Sequence, residues 1–197
     1  MKQKEAELLI IAARLLDYPS KKSLEYALAW TRQSTIWSKD QERVVNVLSP
    51  LQKMNFLELE KLYVDTFDLK AKIGLYLTAH EIGDSPKRGA ALVKLQKIIN
   101  QAGFDRRDGE LADYMPMLYE LVAVMDETDD AIRLWKRLGN ATQIIYNQLP
   151  ENNPYYPLIS LLMTDVFQAP TKEELKQMER DREKTDLDEL PYPLLYN

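Results

Sequence analysis

The chain has no cysteine, a single histidine (His80) and only six glycines. Without cysteine there are no disulfides, no thiolate metal ligands, no iron–sulfur ligation and no thiol nucleophile, a composition that fits a reducing compartment. One histidine leaves carboxylates alone to complete a metal site, which is a poor donor set for a transition metal. Long apolar runs are missing too, and none approaches the roughly 20 residues that span a bilayer. The opening MKQKEAELLIIAARLLDYPS is interrupted by Glu5, Glu7, Arg14 and Asp17 and reads as an amphipathic helix, not a signal peptide. A cytoplasmic protein with no direct membrane insertion is expected. Basic charge is also in deficit: the net charge is -5 and the pI about 5.1. Binding to a phosphate backbone needs a basic surface, so nucleic acid is excluded as a partner, while a basic peptide remains compatible.

What is present is a soluble globular composition. The 197 residues, 45% hydrophobic and 29% charged, suffice for one domain with a sizeable core. Helical periodicity dominates. Leu8, Ile11, Ala12 and Leu15 form one apolar stripe, and Val44, Val47, Leu48 and Leu51 form another. Tyr114, Met117, Leu118, Leu121, Val122 and Met125 continue the pattern, as do Leu158, Ile159, Leu162, Met163 and Val166. No segment alternates apolar and polar residues between hairpin signals, so the expected fold is an all-α, single-domain bundle of about eight helices. These are placed near residues 4–16, 21–34, 39–53, 55–68, 85–102, 113–125, 128–148 and 154–168. Gly139 is expected to bend or split the seventh, and Asp113 to cap the sixth. The helical domain should span 1–168. A charged tail over 169–197 reads as a solvated helix or a disordered segment whose final PYPLLYN can dock locally.

Chemistry-bearing residues concentrate between Tyr63 and Gly89. Phe56, Leu59, Tyr63 and Phe67 share one helical stripe, with Asp65 and Asp68 three apart on a neighbouring side. Two such carboxylates can do acid/base work, but no third catalytic group accompanies them, and a solvated pair needs no such role. His80 offers a base, a structural hydrogen bond or a partner contact. GDSPKRG reads as a helix start in which Asp84 or Ser85 caps and Pro86 opens the first turn. Its free N–H groups with Lys87 and Arg88 could meet an anion, although the spacing is not that of a phosphate loop. Arg88 could also lie across Asp65 or Asp68. Leu75 and Leu77 read as core plugs in a connection of about 16 residues, and Tyr76 as a groove wall.

YVDTFDL, LYLTAHEIGDSPKRGAAL, the AGF of residues 102–104 and LADYMPMLYELVA, with the opening LLIIAARLLDYPS, resemble the nitrate reductase molybdenum cofactor assembly chaperones (NarJ type, the delta subunit family). Where that family often reads LPDYLP, this chain has LADYMP, with Ala112 in place of a proline. The resemblance implies an all-helical, non-enzymatic chaperone with no cofactor of its own. It further implies binding to the N-terminal peptide of the catalytic (alpha) subunit of a respiratory nitrate reductase, held ready for molybdenum cofactor insertion before membrane assembly. The expected peptide-binding residues are Tyr63, Asp65, Thr66, Phe67, Asp68, Tyr76, His80, Asp84 and Arg88. Two alternatives are a nucleotide-handling enzyme using His80 and Asp65, and a purely structural helical adaptor.

Overall fold

In the computed structural model, residues 3–33, 41–70 and 72–167 are described. The expected tail over 169–197 lies outside them. The described helices are α1 (Gln3–Leu16), α2 (Lys21–Gln33), α3 (Gln41–Gln52), α4 (Phe56–Tyr63), α5 (Leu77–Ile82), α6 (Arg88–Gln101), α7 (Met115–Val124), α8 (Asp129–Gln148) and α9 (Tyr156–Asp165). The fold is all-α, as the periodicity predicts. Each of the eight expected segments carries a helix, and α5 is the addition, lying inside what reads from sequence as a connection.

One apolar cluster joins the elements. The stripe of α1 is buried throughout, with α7 as its most extensive neighbour and α2 and α9 beside it. Helix α8 packs on α9, α5 and α7, while α3 closes against α2 and α9. Local chemistry sets several of the ends. Asn55 and Glu58 form a reciprocal capping box at the start of α4, with bonds of 2.9 and 3.2 Å. The Thr128 side chain accepts from the N–H of Ala131 at the start of α8, where Asp129 and Asp130 favour the positive end of the helix dipole. Gly103 ends α6 at φ 82°, and the Phe104 N–H returns to the Ile99 carbonyl at 3.1 Å, as the glycine's position after Ala102 predicts.

Two local expectations are corrected. Gly139 does not split α8, which runs unbroken from Asp129 to Gln148. The glycine is buried against Phe167, and a Cβ there would stand 3.2 Å from that ring, so its role is clearance between elements. Residues Val64–Asp68 leave the α-helical register and form a π turn, in which the Leu69 N–H bonds to the Val64 carbonyl at 3.1 Å. Asp65 and Asp68 therefore do not share an ordinary i, i+3 face.

Between α7 and α8 the buried hydroxyl of Tyr119 donates to Thr142 Oγ1 at 2.6 Å, and Thr142 donates in turn to the Leu138 carbonyl at 2.7 Å. Tyr119→Phe is expected to cost about 1 kcal/mol by removing the first link of this relay while keeping the ring. Urea unfolding of both proteins measures it.

Candidate functional site

Chain segments 75–77 and 113–115 run antiparallel for one bridge. The Leu77 N–H donates to the Asp113 carbonyl at 2.8 Å, and the Met115 N–H to that of Leu75 at 2.9 Å. This bridge brings the starts of α5 and α7 side by side. Asp113, 0% exposed, then reaches across. Its Oδ2 accepts from the Thr78 hydroxyl, from the Thr78 N–H at 3.3 Å and from Arg88 Nη2 at 3.2 Å. Arg88 Nε also donates to Thr78 Oγ1 at 3.0 Å.

This overturns two expectations. Asp113 does not cap α7, whose N-cap is Tyr114 with no side-chain bond. It caps α5 from a distance, because Tyr76, at the head of that helix, offers no side-chain acceptor. Arg88 lies on Asp113 and not across Asp65 or Asp68, since the buried carboxylate is the one that most needs a cation. The start of α6 shifts accordingly. It opens at Arg88 after a turn in which Ser85 Oγ accepts the Lys87 N–H at 3.3 Å, and Asp84 stays exposed. Gly83 makes the sharp approach at φ 66°, where a side chain would be strained.

Above this clamp stands a group of tyrosines. The Tyr76 ring packs on Tyr114 at 5.5 Å, lies 6.0 Å from the Arg88 guanidinium, and donates its hydroxyl to Glu110 Oε1 at 3.1 Å. Burial and then Glu110 push its pKa up to about 12. Tyr114 donates to Asp17 Oδ1 at 3.0 Å, and Tyr63 to the Leu16 carbonyl at 3.2 Å. Burial drives both phenols upward. Tyr18 stacks edge-on to Tyr63 at 5.4 Å yet is 49% exposed. Its pKa is raised by partial burial and by the carboxylates of Glu60 and Asp68. Asp68 also acts electrostatically on Tyr63 and Tyr76, so Asp17, Glu60, Asp68 and Glu110 surround two accessible tyrosines, Tyr18 and Tyr76.

The residues singled out from sequence divide four ways. Asp68, Tyr76 and Arg88 belong to this face or directly support it. Tyr63, Thr66 and Phe67 are buried: Thr66 accepts from Asn153 at 3.0 Å and Phe67 meets Tyr155 edge-on at 4.9 Å, so the π turn is fastened to the loop before α9. These three face the core and are withdrawn as direct partner contacts. Asp65 and Asp84 are exposed and stand apart from the clamp. His80 Nε2–H donates to the Gly74 carbonyl at 2.6 Å, and its neighbour Glu81 holds Arg137 of α8 through two bonds of 2.7 and 2.8 Å. No contact joins His80 to Asp65 for shared chemistry.

Sequence reasoning passed over Asp17, Tyr18, Glu60, Arg107, Glu110 and the role of Asp113. A signal was present: the pair Asp-Tyr occurs in LLDYPS and again in LADYMP, and in the structure the second tyrosine bonds the first aspartate. Among the described residues no group of three or more histidines or carboxylates is placed to hold a metal ion, and no helix is long and apolar enough to cross a membrane.

Comparison with known proteins finds relatives of related description. No family model matches the chain. It is similar to the nitrate reductase molybdenum cofactor assembly chaperone NarJ of Escherichia coli (strain K12), 25% identical over 161 residues, covering 77% of this chain and 65% of that protein. The probable NarJ of Bacillus subtilis (strain 168) is 30% identical over 94 residues, covering 48% of this chain and 50% of that protein. The nitrate reductase-like protein NarX of Mycobacterium tuberculosis is 29% identical over 115 residues, which make up 58% of this chain and 17% of that protein. The chain thus spans between half and two thirds of the length of the NarJ proteins it matches. These matches bear out the family-level resemblance read from the motifs.

Two outcomes follow for the clamp. Asp113→Ala removes the acceptor of three donors and leaves Arg88 without its partner, at an expected cost of about 3 kcal/mol in urea unfolding. His80 is shifted downward by burial, opposed by its bond to Gly74 and by Glu81. The unfolded chain therefore binds a proton at a higher pH than the folded one. Stability linked to His80 is complete above about 6.5 and declines as the pH falls through the lower folded value. Between about pH 6.5 and 5, the wild type should lose stability more steeply than His80→Gln; parallel profiles would contradict this assignment.

Proposed function

We propose that the chain is a NarJ-type assembly chaperone. In this reading it binds the N-terminal segment of the apo catalytic subunit of a respiratory nitrate reductase in the cytoplasm and holds it ready for the molybdenum cofactor, which is the partner's cargo. No catalytic step is assigned to the chain. The observation that carries the reading is the face on which Tyr18 and Tyr76 stand among Asp17, Glu60, Asp68 and Glu110.

Like charges gathered on one side of a fold repel one another, and although Asp17 and Glu110 also accept the hydroxyls of Tyr114 and Tyr76, the four acids together leave a side that favours a cation. An exposed ring, Tyr18, and a half-buried one, Tyr76, between carboxylates suit an amphipathic segment whose apolar side covers the rings while its Lys or Arg residues meet the acids. The similarity to proteins named as nitrate reductase assembly chaperones is the reason a nitrate reductase subunit is taken as the partner. Tyr63 and Phe67 contribute from below, by backing Tyr18 and the π turn that carries Asp68. Asp113 and Arg88 contribute by fixing the start of α5 and the position of Tyr76.

The test is calorimetric titration of a synthetic peptide carrying the N-terminal segment of a nitrate reductase catalytic subunit. Tyr18→Ala should weaken binding about tenfold. Asp68→Asn should weaken it less and flatten its salt dependence. Both residues are exposed, so thermal unfolding should barely move. Wild-type affinity in both variants would remove the reading, as would a change in stability with no change in binding.

A further inference from the structure

We infer that Arg107 occupies, from within the chain, the place of a cationic residue of the bound segment, and that binding displaces it from Asp17. This rests on the binding face proposed above and adds a built-in competitor to it. The Asp17 carboxylate is fixed on one side, where Oδ1 accepts the Tyr18 N–H at 2.9 Å and the Tyr114 hydroxyl at 3.0 Å. Its Oδ2 takes Arg107 Nη1 at 2.6 Å, across 90 residues of sequence.

The guanidinium sits where the ligand's cation is expected, with Asp17 and Glu110 acting on it and the exposed Tyr18 next in the chain to Asp17. An arginine suits such a place because its planar fork pairs with carboxylates and lies against aromatic rings. Arg107 is also removable. Its side chain is 60% exposed, and residues 103–109 between α6 and α7 are all exposed, so lifting it uncovers no core. Gly103 and Gly109, at φ 82° and 79°, bound this stretch. With the arginine in water, although the Asp17 side chain is only 19% exposed, such a pair holds by only a few fold in an equilibrium constant. Displacement is therefore easy for a segment that also covers the tyrosines and unrewarding for a lone basic side chain. The competitor thus sharpens the distinction between amphipathic and merely basic ligands.

The experiment titrates a synthetic helix-forming peptide, with Lys and Arg along one face and Leu and Phe along the other, into the full chain and its variants. Arg107→Gln should bind about threefold more tightly than wild type. Arg106→Gln removes the same charge one residue away and should gain clearly less. In an Asp17→Asn background Arg107→Gln should gain nothing; if that background does not fold, the comparison of the two arginines still decides. Equal gains from Arg106 and Arg107, or weaker binding by Arg107→Gln, overturn the inference while leaving the binding face intact. No binding by wild type or any variant takes down the binding face, and the inference with it.

Discussion

A buried carboxylate must be satisfied where it lies, and the arrangement around Asp113 follows from that requirement. Transfer of a charge out of water is costly unless it meets donors and a counter-charge. Thr78 supplies two donors and Arg88 the cation, and each comes from a different helix. One side chain therefore locks α5, α6 and the start of α7 to one another. Helix α5 has six residues, too few to persist alone, and depends on this lock together with the Glu81–Arg137 pair on its far side. Among the described residues the Oδ1 atom of Asp113 has no hydrogen-bond partner, so its carboxylate holds Thr78 and Arg88 through Oδ2.

The tyrosine hydroxyls extend the same ordering outward. Tyr63 closes the end of α1 onto α4, and Tyr114 joins that end to α7, their oxygens 3.2 Å apart. Each phenol has one proton. With those protons spent on the Leu16 carbonyl and on Asp17, the contact between the two oxygens has no donor of its own, and the pair is held by its neighbours. The interior of the candidate face is thus polar but fully directed, while its outer layer keeps acceptors turned to the surface.

How far the sequence was legible depended on how far apart the interacting residues lie. The stripes of α1, α7 and α9 follow from spacing within a single helix, and they are buried as the 3.6-residue period predicts, with Met117 and Met125 half-buried at the margin. Leu75 and Leu77 fill the core as plugs. The start of helix α5 has no local signal because its cap is 35 residues downstream. Asp113 looked like a local cap for the same reason: proximity in sequence was the only guide. Tyr63, Thr66 and Phe67 have the composition of a binding stripe, and their burial is decided by Leu16, Asn153 and Tyr155, which no local window contains. Charge was easier to read as a class than as a place. An acidic body suggested a basic ligand, whereas the particular acids, Asp17, Glu60 with Asp68, and Glu110, are assembled from three separate stretches.

Phe167, beyond the end of α9, fills a notch in the surface of α8. Its ring contacts Trp135 at 5.0 Å and Tyr119 at 6.0 Å and occupies the notch left by Gly139, while its N–H returns to the Leu162 carbonyl at 2.8 Å. A chain cut before this residue would keep every described helix yet expose an aromatic slot on α8, a sticky patch that invites self-association. The closure of α8 on this side is thus set by one aromatic side chain and not by the last helical turn.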